Sequence, residues 1–306
     1  MTTAAASTEG VEFRAGATDV SERRRSGISR GALLDIAIAP DIAGTNWSAD
    51  SAARIGALTT IAEIAGDARL AAAYPGLAAA AGNLATPQIR HLATLGGNLA
   101  QRSRYWYYRN PREICLKKGG TNCPARSGNH LYGVAFDLGP CVAPHPSTMA
   151  AALLAYEARI HTNLRRGLTV QQLLGDGSNG AADNALEYGE MIENIEFPPP
   201  LVNERARYKR AISRTHAEWP LVEICARAVI TGGSFKFIRV AAGGVAPVPL
   251  RLLAAEAALQ GVVANATNIA NAARQAAVGA SPLRMTAYKL DLLIGLAQDI
   301  LEQLAE

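Results

Sequence analysis

Apolar positions in this chain fall into short clusters, not one long periodic run. Residues 33–39 form a brief apolar stretch of the length of a buried strand, and 54–58 form another. Thr60 followed three positions later by Glu63 is a capping box, which predicts a helix starting there and running to about Ala73. Pro75 ends it. A second, alanine-rich helix is predicted over 77–84, and 88–93 leads into two adjacent glycines. Residues 149–160 are apolar enough for helix or strand. Residues 169–174 open another helix, and the glycine-rich stretch 175–182 reads as a loop.

Pro198-Pro199-Pro200 marks the passage into a second unit. There, 221–226 reads as a helix core in which Cys225 is a small hydrophobe. Residues 226–230 and 235–241 read as strands around the turn Gly232-Gly233-Ser234. Residues 252–259 and 287–304 have the spacing of amphipathic helices. The mixture is α+β, divided into residues 1–190 and 191–306.

Composition narrows the picture. At 306 residues, 49% hydrophobic and 18% charged, the chain is long and apolar enough for a sizeable core. A net charge of +4 without a long basic run argues against nucleic-acid binding. Arg23-Arg24-Arg25 reads as a solvated face or a subunit contact. Residues 1–10 lack the apolar core of a signal peptide, and no run is apolar enough for a membrane span. The expectation is a cytoplasmic protein, periplasmic only if carried by an exported partner.

Candidate chemistry centres on two small-residue segments. The first is Arg14-Ala15-Gly16-Ala17-Thr18-Asp19-Val20, and the second is Thr94-Leu95-Gly96-Gly97-Asn98. Glycine can take positive φ and lets a ligand approach the backbone. Successive inward N–H groups form an anion nest, with Thr94 and Asn98 adding donors at the rim. Two such turns could grip one diphosphate from both sides. A tight turn without a ligand is the plain alternative for the Gly-Gly pair. Neither segment matches the dinucleotide fingerprint or the P-loop.

These two segments resemble the flavin loops of the FAD-binding (medium) subunit of molybdenum hydroxylases, the xanthine dehydrogenase family. Further segments resemble the same family in order: Ser29 to Ile36, Arg54 to Thr60, His145-Pro146-Ser147-Thr148-Met149-Ala150, and Gly243-Gly244-Val245-Ala246-Pro247. The branch most similar is the bacterial aldehyde oxidoreductase type. The resemblance implies a two-lobed FAD-binding domain followed by a small C-terminal domain of antiparallel sheet and helices. It implies FAD held by residues 14–20 and 94–98 with Ser147, and a cation at Arg210 that stabilises reduced flavin. It further implies a [2Fe-2S] small subunit and a molybdopterin-binding large subunit as partners. Electrons would enter from [2Fe-2S] clusters and leave through FAD to an external acceptor. His216 is not expected to act as a base. Relatives place a strand and helix before the first loop, so residues 2–12 imply a shortened or absent first βα unit. A structural subunit that has lost FAD is the second reading.

The resemblance also covers a cysteine-bearing insertion, about 105–142. Cys115, Cys123 and Cys141 lack the short pairing of zinc sites. An iron–sulfur cluster normally takes four thiolates, and Tyr105 stands where the related [4Fe-4S] subunits carry another cysteine. A fourth ligand from Asp137 or His130, or an insertion held by packing alone, both stay open. The aromatic run Tyr105-Trp106-Tyr107-Tyr108 is expected to pack.

Overall fold

The computed structural model describes residues 10–37, 39–215 and 217–306. Ile38 and His216, and most of the segment expected to be shortened, lie outside the described residues. Strand β1 (Glu12–Arg14), helix α1 (Val20–Arg25) and strand β2 (Leu33–Asp35) make a βαβ unit in which the two strands pair in parallel. The apolar stretch 33–39 is thus strand only at its start. Leu34 and Asp35 are exposed there, so it is not the buried strand expected.

Next come β3 (Thr45–Trp47) and β4 (Ala53–Gly56). The expected capping box is present: Glu63 N–H donates to Thr60 Oγ1 at 3.2 Å, and the Thr60 N–H donates to Glu63 Oε2 at 2.7 Å. The helix it opens is shorter than expected. It divides into α2 (Ile61–Gly66) and α3 (Ala68–Ala73) because Asp67 leaves the helical region and caps the second piece through Arg69 and Leu70 N–H. Pro75 opens α4 (Pro75–Asn83), since a first-turn proline gives up an N–H that has no helical partner.

Helices α5 (Pro87–Leu92), α6 (Leu95–Ala100) and α7 (Trp106–Arg109) follow, then the insertion, α8 (Thr148–Ala155), β5 (Arg159–Thr162), α9 (Val170–Leu174) and β6 (Ile192–Phe197). Strands β3, β4, β6 and β5 form one antiparallel sheet in that order.

After the triple proline, β7 (Glu204–Ala211), β8 (Val222–Thr231), β9 (Ser234–Gly243) and β10 (Leu250–Arg251) build a second antiparallel sheet, order β10-β9-β8-β7. It is followed by α10 (Leu253–Leu259), α11 (Ala266–Gln275) and α12 (Tyr288–Ala305). The helix expected over 221–226 is instead strand. Helices α4 and α8 cover one face of this sheet and the C-terminal helices the other. Every residue of β8 from Val222 to Ala228 is therefore buried, and the alternation that marks a half-buried strand is erased. Gly76 lets α4 seat closely: a Cβ there would lie 3.0 Å from Cys225 Sγ and 3.2 Å from the Tyr156 hydroxyl. One apolar core thus runs from β4 and α2 through α4 and α8 to Cys225 and Ala241.

Candidate functional site

The two small-residue segments meet. A Cβ on Gly16 would lie 1.6 Å from the Leu92 carbonyl oxygen, so only glycine permits this approach of the first loop to the end of α5. Gly96 packs closely on Ala57, where a Cβ would come within 2.8 Å of the Ala57 Cβ. Gly97 is different, because a Cβ there meets only the capping Thr94 hydroxyl, at 2.9 Å.

Backbone conformation corrects one expectation. Neither Gly16, Gly96 nor Gly97 has positive φ; the left-handed residue is Ala17, with φ 59°. Gly96 and Gly97 lie in the first turn of α6, whose N-cap Thr94 accepts from Gly97 N–H at 3.1 Å. The glycines are there for closeness, not for a turn.

Donor accounting separates the loops further. In the second segment each N–H from Leu95 to Asn98 is used inside the protein: Leu95 on Thr59 O, Gly96 on Ala57 O, Gly97 on Thr94 Oγ1 and Asn98 on Thr94 O. In the first, the N–H groups of Gly16, Ala17, Thr18 and Asp19 donate to no acceptor among the described residues. Of the two segments expected to form an anion nest, only the first therefore has unused backbone donors.

The Asp19 side chain is engaged inside the protein. Burial pushes its carboxyl pKa up, but the guanidinium groups of Arg104, Arg109 and Arg23 together hold it below the usual range. Arg109 Nη2 donates to it at 2.6 Å and Arg23 Nε at 2.9 Å, and the Arg102 N–H reaches it at 3.2 Å. Behind these, Asp183 binds Arg102 at 2.5 Å and Lys117 at 2.8 Å. Its carboxyl is buried, yet those two cations keep it far below the carboxylate range. This network clamps the first loop against the chain that follows α6.

A cavity of about 630 Å³ opens along the first loop and reaches β7. Gly16 to Asp19, Gly97, Asn98 and Arg210 line it, as do Arg104, Thr148 and Trp219. A narrower slot of about 70 Å³ continues behind Ala15 to Val20, between the apolar Phe13, Ile36 and Leu58. Asn98 turns its carbonyl away, accepting from Ser147 Oγ at 2.6 Å and Met149 N–H at 3.3 Å. Its amide nitrogen is left without an acceptor among the described residues. Ser147 thus orients Asn98 from behind and lines neither space, while Leu95 is a core side chain. Arg14 lies outside as well, exposed and ion-paired with Asp35. Arg210 donates to the Glu218 carbonyl at 3.3 Å. Arg104, Arg109 and Trp219 were not singled out from the sequence, and Arg23, expected on a solvated face or subunit contact, is instead buried and paired with Glu12 and Asp19. Three arginines within eight residues, at 102, 104 and 109 just after the second glycine segment, were the available signal.

The insertion holds Cys115 and Cys141 buried and Cys123 half-buried, all as free thiols. Tyr105 packs in the same small core as Cys141, with Cys123 against it. Its hydroxyl has no hydrogen-bond partner, and burial raises its pKa. Asp137 is taken by Arg126, and His130 Nδ1 faces the carbonyls of Ala125 and Gly128, so neither turns to the cysteines. Among the described residues no three His, Cys, Asp or Glu side chains converge as a metal site. As expected, Tyr107 and Tyr108 are packed, but Trp106 remains 42% exposed.

Sequence comparison matches residues 1–200 to the FAD binding domain in molybdopterin dehydrogenase and residues 206–304 to the CO dehydrogenase flavoprotein C-terminal domain. The chain is 34% identical over 213 residues to the aldehyde oxidoreductase FAD-binding subunit PaoB of Escherichia coli strain K12, covering 67% of this chain and 65% of that protein. It is 25% identical over 234 residues to a xanthine dehydrogenase FAD-binding subunit of Escherichia coli O157:H7, covering 76% and 66%. The chain thus spans just under two thirds of the length of these relatives.

Its fold is that of a chain in quinoline 2-oxidoreductase from Pseudomonas putida 86, with TM-score 0.73 and 18% identity over 96% of this chain and 89% of that one. It is also that of a chain in carbon monoxide dehydrogenase from Hydrogenophaga pseudoflava, with TM-score 0.75 and 21% identity over 96% and 89%. Two abutting loops, a ligand-sized cavity and family models that together cover nearly the whole chain lead to one assignment: the protein belongs to the FAD-binding subunits of the molybdopterin dehydrogenase, or molybdenum hydroxylase, family.

Proposed function

We propose that this chain is the flavin-carrying electron-transfer subunit of a multisubunit molybdenum hydroxylase, with a [2Fe-2S] small subunit and a molybdopterin-binding large subunit as partners. The observation that carries the binding site is the row of four unused backbone N–H groups at Gly16–Asp19, facing Gly97 and Asn98 across a cavity of ligand size. These donors fit a diphosphate, which needs several short N–H contacts and no side-chain charge. FAD, when bound, supplies the two-electron chemistry that lets one-electron donors be coupled to an external acceptor.

The chain's own residues bind and orient. Asn98 offers its amide nitrogen, held by Ser147. Arg210 supplies positive charge near the cavity's far end, which favours an anionic reduced ring. The cysteine insertion gives three thiols and Tyr105 in place of four thiolates. No electron route is drawn through it.

The test is the Gly97→Val variant, which adds bulk on the cavity wall beside the Thr94 hydroxyl. The wild-type chain is expected to purify with flavin absorption and with its two partners. The variant is expected to lose the flavin completely and to lower the melting temperature only modestly, as the Thr94 cap shifts. A colourless wild-type chain within an intact complex would favour the structural-subunit reading. Full flavin content in the variant would place the cofactor elsewhere.

A further inference from the structure

Lys289 is the most anomalous charge in the protein. It is 1% exposed and sits in the first turn of α12, where the helix dipole disfavours a cation. Its Nζ donates to the Gly244 carbonyl at 2.8 Å. Among the described residues no carboxylate lies within ion-pairing distance, and two of its three N–H directions have no acceptor. A buried ammonium so placed is costly, because removing a charge from water costs several kcal/mol, on the order of what a good ion pair returns. Burial alone brings its pKa down to about 7.

Lys289 lines a cavity of about 310 Å³ that adjoins the cleft along the first loop. This volume is at the lower end for small-molecule sites. Its walls are aromatic: Trp106, Tyr132 and Trp219 are 42%, 47% and 42% exposed, so three large rings are left partly in solvent around one space. The other charged groups lining it have partners. Arg104 binds Glu22 at 2.5 Å, Glu218 pairs with Arg214, and Glu223 accepts from the Tyr208 hydroxyl at 2.6 Å. Arg104, Glu218, Trp219 and Pro220 line both this cavity and the cleft.

We propose that the Lys289 cavity binds a planar aromatic carboxylate, its ring between the exposed aromatic side chains and its carboxylate on the Lys289 ammonium. The ring is selected by the aromatic surface that Trp106 (packed on Tyr107), Trp219 (beside Arg104) and Tyr132 still leave exposed, and the anion by a buried cation that lacks a counter-charge. The position beside the flavin cleft rests on the function proposed above; the binding itself does not.

Calorimetry on the purified, flavin-containing chain tests this with three probes: 2-naphthoate, the uncharged 2-naphthalenemethanol, and acetate. Naphthoate is expected to bind saturably, the alcohol about tenfold more weakly, and acetate without measurable heat, as a single charge-assisted hydrogen bond of about 1.5–3 kcal/mol would give. Lys289→Met is expected to weaken naphthoate at least tenfold and leave the alcohol unchanged. Tyr132→Ala, at an exposed rim position, is expected to weaken both ring compounds severalfold. Equal binding of naphthoate and alcohol, or undiminished naphthoate binding by Lys289→Met, overturns the proposal. Loss of flavin absorption in Lys289→Met, with its melting temperature kept, also overturns it, because the cavity would then belong to the flavin. A chain that lacks flavin but discriminates the probes as expected would sink the flavin reading and leave this one standing.

Discussion

The two glycine-containing loops look alike in sequence and are built for opposite tasks. The first leaves four consecutive N–H groups unused, and the second uses its own from Leu95 to Asn98. In the first, glycine permits contact with the backbone of α5 while alanine takes the left-handed position. In the second, the glycines lie in a helical turn, one pressed on Ala57 and the other beside the capping Thr94 hydroxyl. A glycine pair therefore does not signal a nest. What distinguishes one is whether the N–H groups have anywhere else to go.

Substitutions can break that contrast. The largest effect is expected at Gly16→Val, which drives a branched side chain into the Leu92 carbonyl. Destabilisation of more than about 4 kcal/mol, read by denaturant unfolding, should accompany complete flavin loss. Gly96→Ala is expected to cost about 1–3 kcal/mol as α6 shifts from Ala57, and to loosen flavin in the same preparation. Ser147→Ala removes the hydrogen bond that orients Asn98 and should cost about 1 kcal/mol, with a severalfold rise in flavin dissociation constant. Ala17→Gly should change stability by less than about 0.5 kcal/mol, because relief of the left-handed strain is offset by greater freedom in the unfolded chain. A large loss there would mean that the alanine methyl packs on the ligand.

Acid should act on the clamp behind the first loop. Asp183 and Asp19 both titrate below their unfolded values, so the unfolded chain takes up protons first as pH falls. Their contribution is complete above the ordinary aspartate value near 3.8 and is lost as pH falls through their lower folded values. Flavin retention should then be flat from pH 8 to about 5 and fall only in stronger acid.

Local signals in the sequence were reliable where a few neighbouring residues decide the outcome. Thr60 and Glu63 form the expected capping box, and the helix expected at 169–174 is present, capped by Thr169 and Gln172. Asp67 was harder, because an aspartate inside an apolar helical pattern reads as a surface residue until it is seen capping the next segment. Residues 221–226 failed for another reason: a strand covered on both faces has no alternation to read. The pairing of Gly16 with Leu92, and of Asp19 with arginines at 23, 104 and 109, depends on contacts between distant stretches. The sequence supplied the residue types but not who meets whom.

The approach of Gly16 to Leu92 has a consequence for biogenesis. The row of donors is in place only once the first loop has docked on the end of α5, and the stretch just after β4, which holds the start of α6 through the Ala57 and Thr59 carbonyls, follows a strand paired with β6 near residue 195. On the proposed placement of the flavin, the emerging N-terminus alone should not retain it. Cofactor loading is then a late event that reports completion of the first two hundred residues, and a chain truncated before β6 should be released without colour.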